Sequence, residues 1–330
     1  MKYLEVKSTD PYLNLALENY MFEYMPSEED YFLLWQVDNS ILIGKHQNTV
    51  EEINKEFVDQ HDIKVVRRLT GGGAVFHDLG NVNFSFIVKR RKNRDFDFHF
   101  FVEPVLRVMN TLGIKAEFSG RNDLLIDGMK FSGNAQCAKA DRLLHHGCIM
   151  VNANVDYLSE ALRVKEKKYE SRGIKSVRSR VTYVNERLGN PVSVETFKQL
   201  LLCEVLRENG DMRPVELHDG DRERIKDIRD SRFAAWEWNY GKSPVYNVRK
   251  EKKFPAGLVT IYMQVNKGYI EKAKLYGDFF GNEDITELEE KFTGIRLNKN
   301  SLSEALEAMR IDTYMRDISA QDMYELIWYA

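Results

Sequence analysis

The stretch Arg67-Arg68-Leu69-Thr70-Gly71-Gly72-Gly73-Ala74-Val75-Phe76-His77 constrains this chain more than any other. It follows a β-branched run, Ile63-Lys64-Val65-Val66, and precedes Asn83-Phe84-Ser85-Phe86-Ile87-Val88. Both flanks read as strands. Three successive glycines cost conformational entropy, so they need a structural reason. One reading is an anion cradle, in which bare glycine amides point at a phosphate and arginine adds a planar, permanent charge. The other is a glycine-rich hairpin with two solvated arginines. The stretch is neither a Rossmann fingerprint, because Phe76 stands where a third glycine is needed, nor a Walker loop. Gly241-Lys242-Ser243 imitates the end of a Walker loop, but Trp236 replaces its first glycine.

The other elements follow from period and turn chemistry. Asp10-Pro11 starts a helix running to about Met25, with Leu13, Leu17, Tyr20 and Met21 on one face. Residues 31–36 and 40–44 read as strands joined by a turn at Val37-Asp38-Asn39. The polar loop Lys45-His46-Gln47-Asn48 is either a solvated turn or a rim that meets ligand beside Trp35, and a short helix near 50–60 follows. Phe98 to Leu112 reads as a helix, closed by Gly113. Asp127-Gly128 signals a hairpin whose return strand carries Lys130, and 147–152 is a further strand. Helices are expected over 191–208 and 219–233, and Trp236 to Pro244 as a packed aromatic junction. Beyond it, a hairpin around Asn266-Lys267-Gly268 and three short helices make a small α+β region. The fold class is α+β: a large domain (1–244) of mostly antiparallel or mixed sheet with flanking helices, and a small C-terminal domain (245–330).

Bulk properties narrow the function. A net charge of −3 gives no sign of nucleic-acid binding. No apolar run reaches membrane-spanning length, and the start of the chain lacks the apolar core of a signal peptide. Three cysteines without paired spacing, Cys137, Cys148 and Cys203, point to a reducing, cytoplasmic location.

Lys130 is a surface lysine or a point charge for phosphate or carboxylate. Cys148 shares a strand face with His146, as a thiolate–imidazole pair or as a buried cysteine beside a structural histidine; the second is favoured. The spacing of His145, His146, Cys148 and Cys137 fits no zinc pattern. The basic run 163–180 is a solvated loop, or a lid or docking patch.

In this order, the glycine-rich stretch through Asn81, Gly120-Arg121-Asn122-Asp123, Lys130-Phe131-Ser132-Gly133-Asn134-Ala135, His145-His146-Gly147, 173–180 and Trp236-Glu237-Trp238-Asn239-Tyr240-Gly241 resemble the two-domain bacterial lipoate–protein ligase A family. The resemblance spans nearly the whole chain. It implies a catalytic domain related to biotin–protein ligase and an ATP-dependent reaction through lipoyl-AMP. The acceptor is a lysine on lipoyl domains of 2-oxoacid dehydrogenase complexes or on the glycine-cleavage H protein. Nucleotide contacts are implied from Arg68, Gly71, Gly72, Gly73, Ala74, Val75, Phe76, His77, Asn81, Asn122, Asp123 and Lys130, with Lys130 catalytic. Lipoate contacts are expected from Trp35, Arg68, Val75, Lys130 and His146. Mg²⁺ is expected with ATP, Asp123 being its possible ligand. The alternative is an octanoyl or lipoyl transferase that uses a Cys148 thioester.

Overall fold

The structure is a computed structural model that describes residues 1–91, 97–120, 122–162, 180–210, 212–240 and 247–329. It is a mixed α+β protein of two compact units. The first comprises residues 1–43, 49–67 and 74–239. The second comprises 240–330 with two loops from earlier in the chain, 44–48 and 68–73. Among the described residues no helix is long and apolar enough to cross a membrane.

Fourteen strands are described. In the first unit they are β1 (Lys2–Glu5), β2 (Tyr31–Trp35), β3 (Ser40–Ile43), β4 (Lys64–Arg67), β5 (Val75–His77), β6 (Asn81–Lys89), β7 (Ala116–Ser119), β8 (Asp123–Ile126), β9 (Met129–Lys139), β10 (Arg142–Met150) and β11 (Arg213–Pro214). In the second they are β12 (Val248–Phe254), β13 (Gly257–Asn266) and β14 (Tyr269–Gly277).

The large sheet runs β11-β1-β2-β6-β10-β9-β8-β7. β1 pairs parallel with β2 and β11; all its other pairs are antiparallel. One face packs on the helices Phe98–Thr111 and Val194–Asn209 through Phe32, Phe84, Phe86, Phe101, Phe131 and Phe197. Burying each such ring stabilises the unit by roughly 1.5–3 kcal/mol. The helix Pro11–Glu23 lies on the opposite face. Asp10 caps it and Pro11 starts it. With both faces covered, all five residues of β2 are buried.

The expected hairpin between 31–36 and 40–44 does not form. β2 pairs with β1 and β6, whereas β3 leaves for a separate small sheet, β4-β3-β5. Asn39, at φ 42°, turns the chain between the two sheets. The glycine-rich hairpin reading fails for a related reason. β4 and β5 lie on opposite sides of β3, so the glycine stretch crosses over β3 and does not join paired neighbours. The expected helix near 50–60 is two pieces, Thr49–Glu52 and Lys55–Gln60.

In the second unit β12-β13-β14 form an antiparallel sheet. Asn266 pairs with Tyr269 across Lys267-Gly268, both at positive φ, as the hairpin signal requires. Val259, Ile261, Leu275, Phe279, Phe292 and Leu302 fill the core under helices Ile285–Lys291, Lys299–Ala308 and Ala320–Tyr329.

Candidate active site

Strand register brings the first group of candidate residues together. Trp35 is opposite Asn83, Asn83 opposite Cys148, Cys148 opposite Gly133, and Gly133 opposite Asp123. This row crosses five strands on the face that bears helix Pro11–Glu23. The next row on that face is Leu33, Ser85, His146 and Ala135.

Lys130 reaches this face because of a β-bulge. Leu124 pairs with Ser132 and Leu125 with Lys130, which leaves Phe131 unopposed. Phe131 turns into the apolar core. The extra residue reverses the alternation and aims Lys130 to the side of Gly133 and Asp123. Its ammonium lies 2.7 Å from an Asp123 carboxylate oxygen, with both side chains about one-third exposed. The Lys130 backbone is held from outside the sheet as well. Its N–H donates to the Arg180 carbonyl at 2.8 Å, and its carbonyl accepts from Thr182 N–H at 2.9 Å.

Asn122 and Asn134 clasp the start of β8. Asn134 N–H and Nδ2 donate to the Asn122 carbonyl at 3.0 and 3.1 Å, and Asn122 Nδ2 returns a 2.5 Å bond to the Asn134 carbonyl. Asn122 therefore serves the scaffold here. Asn81 is buried, and its Oδ1 accepts from Asp78 N–H at 3.1 Å.

A fully buried carboxylate on the same face was not read from the sequence. Glu18 accepts from Ser85 Oγ at 2.6 Å and faces His146 Nδ1 at 2.9 Å; Trp35 Nε1 donates to Ser85 Oγ at 2.9 Å. Glu18 lies on a helix whose period marks an apolar face, but that helix is buried almost all round. The available signal was a glutamate in the middle of the helix, flanked by Leu17 and Asn19, rather than at its end like Glu23. Cys148 is half-buried and shares the His146 face, as the alternation predicts. The imidazole, though, faces Glu18. His145 points the other way and is fully buried among Phe84, Phe86, Phe98 and Phe101. Gln136 Nε2 is 2.9 Å from its Nδ1, and burial pushes its pKa well below the usual 6.5.

The second group is the crossover. Arg67, in the first unit, is a buried tie. Nε donates to the Trp238 carbonyl (2.9 Å), and Nη2 to Thr49 Oγ1 (2.7 Å) and the Asn239 carbonyl (3.0 Å). Residues 236–239 form a local lock on β4, since Trp238 Nε1 also donates to the Arg67 carbonyl. Residues 241–244 of the expected junction lie outside the described residues.

In the second unit, Arg68 folds back on its own loop. It donates to the carbonyls of Gly71 (2.7 Å) and Gly73 (2.8 Å) and to Thr70 Oγ1 (3.1 Å). The three glycines have three different surroundings. A Cβ on Gly71 would sit 2.3 Å from the Phe279 carbonyl oxygen, and Gly72 has φ +89°; Gly73 has nothing within 4 Å of a Cβ position. Packing and conformation thus account for two glycines, and the third faces open space. Residues 45–48, expected as a solvated turn or a ligand rim, belong to the second unit, whereas Trp35 belongs to the first. His46 stacks on Phe279 at 4.7 Å, and Gln47 Oε1 accepts from Gly44 N–H, both in the second unit.

Back in the first unit, Phe76 and His77 are buried and Val75 partly so, in β5. Among the described residues no group of three metal-ligating side chains is gathered. Asp123, the expected Mg²⁺ ligand, is paired with Lys130. The basic run 163–180 lies outside the described residues except for Arg180.

Comparison with known proteins agrees with the motifs. The lipoyl protein ligase A/B catalytic domain matches residues 10–206, and the bacterial lipoate protein ligase C-terminus matches 243–327. The chain is 42% identical to lipoate-protein ligase LplJ of Bacillus subtilis, covering 97% of each protein. Its fold is that of P. falciparum LipL1, solved with lipoate (TM-score 0.76, 23% identity, 92% and 93% of the two chains covered). A bi-partite archaeal ligase from Thermoplasma acidophilum, solved with its E2 lipoyl domain, is 26% identical over 75% of this chain and 98% of its own (TM-score 0.67). The relatives do not favour the cysteine-thioester transferase. The chain belongs to the lipoate–protein ligase family.

Proposed function

We propose that this ligase activates lipoate on the face of the large sheet that carries Lys130, Trp35 and His146. In the first step a lipoate carboxylate oxygen attacks the α-phosphorus of ATP. The bond to the bridging oxygen breaks, and pyrophosphate leaves. In the second, the ε-amine of an acceptor lysine attacks the acyl carbon, AMP departs, and the amine gives up a proton. Both substrates of the first step are anions, so their repulsion must be cancelled by fixed positive charge. Lys130 is assigned to the carboxylate and phosphate, Arg68 and the 71–77 segment to the nucleotide. Trp35, Val75 and His146 are assigned to the lipoyl chain, which needs an apolar slot with few polar groups.

The observation that carries this reading is the bulge at Phe131, which turns Lys130 onto the face shared with Trp35 and His146. Mg²⁺ would arrive with the ATP phosphates and use few protein carboxylates. Asp123 fits such a role only when it releases Lys130. Residues 1–244 are assigned the chemistry and 245–330 an accessory role, in the cytoplasm. The acceptor is a lipoyl domain or glycine-cleavage H protein, a class supported by the archaeal ligase solved with an E2 lipoyl domain.

The test is lipoate-dependent exchange of labelled pyrophosphate into ATP without acceptor. Wild type should exchange, and Lys130→Ala should lose about 10³-fold with unchanged stability. Exchange that survives in Lys130→Ala would remove Lys130 from the first step.

A further inference from the structure

Lys130 is a long, flexible side chain, and something must hold its ammonium in one place. We infer that Gly133 is the positioning residue for Lys130, its missing side chain being the floor over which the lysine reaches Asp123. The inference rests on the ligase reading and names a residue that the reading itself does not use.

The geometry is specific. A Cβ built on Gly133 would lie 3.0 Å from both Cε and Nζ of Lys130, and 3.9 Å from Asp123 Oδ1. Gly133 is directly opposite Asp123 in the register, so the ammonium rests above the glycine and against the next strand's carboxylate. Gly133 has no positive φ, so its backbone makes no demand for glycine. It lies inside an eleven-residue strand, where glycine is otherwise unfavourable. Only the lysine above it needs the space. The rest of the assembly is rigid: the Asn122–Asn134 clasp fixes the strand beside Gly133, and Arg180 and Thr182 fix the Lys130 backbone. Gly147 helps from the opposite face. A Cβ there would strike Asn134 Oδ1 at 2.2 Å and the Phe84 ring at 2.5 Å.

With the main chain fixed at both ends, an added methyl displaces the ammonium and leaves the strand in place. A Cβ at 3.0 Å moves the ammonium by a few tenths of an ångström; misplacing a catalytic group by about 1 Å costs on the order of 100-fold in rate, so the loss here is about tenfold. Binding of ATP, which other groups share, changes less.

The experiment compares wild type, Gly133→Ala and Gly189→Ala in pyrophosphate exchange. Gly189 has open space around it and serves as the control. Gly133→Ala should lower kcat about tenfold, keep KM for ATP near the wild-type value and melt with wild type; Gly189→Ala should match wild type throughout. A Gly133→Ala kcat equal to that of wild type overturns the inference, and so does a fall in kcat explained by lost stability. A crystal structure of Gly133→Ala gives an answer independent of activity: an ammonium moved from its wild-type position supports the inference, and one that has not moved overturns it. Absence of exchange in wild type would sink the ligase reading, while that structure would still decide the role of Gly133.

Discussion

Lys130 and Arg68 are the two cations assigned to the reacting anions, and the molecule holds them in opposite ways. Lys130 stands on a sheet. Its direction comes from register and a bulge, its backbone is bonded on both sides, and its ammonium meets one carboxylate at the surface. Arg68 is 6% exposed and donates to three acceptors of its own loop. One is presented by a scaffold, whereas the other braces a loop. A cation seen in sequence beside glycines is therefore not yet an anion site; its hydrogen-bond partners decide what it does first.

The glycines give the largest expected effects and the sharpest version of this contrast. Gly71→Ala drives a methyl into the Phe279 carbonyl, a backbone atom that cannot step aside. It should destabilise the second unit by about 3 kcal/mol, at the upper end for overpacking. Gly73→Ala meets nothing and should leave stability unchanged. If Gly73 faces nucleotide, that variant should raise KM for ATP about tenfold, which is about 1.4 kcal/mol. Thermal melting of each variant, with ATP titration of the second, checks both. Equal behaviour of the two variants would break the distinction between packed and open glycines.

Arg68→Lys should come next in size. Lysine keeps the charge but loses the fork that reaches two carbonyls at once. Leaving buried acceptors unpaired costs about 1–3 kcal/mol. Proteolysis within 68–73 should therefore speed up in this variant even without substrates. Unchanged cleavage with lost activity would make Arg68 a ligand group first and a brace second.

These differences also explain what the sequence could and could not convey. The strands 31–35, 64–67, 81–89 and 257–266 were legible because period and turn residues act locally. Asp127-Gly128 and Lys267-Gly268 named their own turns. Pairing partners were not legible, since β2 and β3 are neighbours in sequence yet belong to different sheets. The bulge at Phe131 leaves no local mark either. It appears only when Leu124 and Leu125 choose partners two residues apart, Ser132 and Lys130. Motif resemblance gave roles to Lys130 and Arg68; it included Gly133 without a role and did not include Glu18. The roles of Glu18 and Gly133 come from groups far along the chain or on the next strand: Ser85 and His146 for one, Asp123 for the other.

The smallest expected effect concerns the ground beneath the scaffold. His145 and His146 are adjacent in β10 and face opposite sides of the sheet, so the sheet that presents the lysine also buries an imidazole in the core on its other face, opposite Gln136 in the register. Burial lowers the His145 pKa, so the folded state keeps the ring neutral where the unfolded chain would protonate it. The unfolded state then binds the extra proton, and stability rises with pH until the ordinary value of 6.5 is passed. Stability should be fully present above 6.5 and decline as pH falls below it, by at most about 1.4 kcal/mol per pH unit for one proton. His145→Phe keeps an aromatic ring among Phe84, Phe86, Phe98 and Phe101, and leaves the Gln136 amide without its ring partner. That lost bond is a constant cost at every pH, so the slope isolates the proton. Hydrogen exchange of β6 and β10 amides between pH 5 and 7 reads it in the first unit directly. The wild-type slope should shrink in His145→Phe, while β13 and β14 amides in the second unit show no difference between the two proteins. A slope that persists in the variant would place the titrating group elsewhere, and a matching change in β13 would mean that the two units do not open independently.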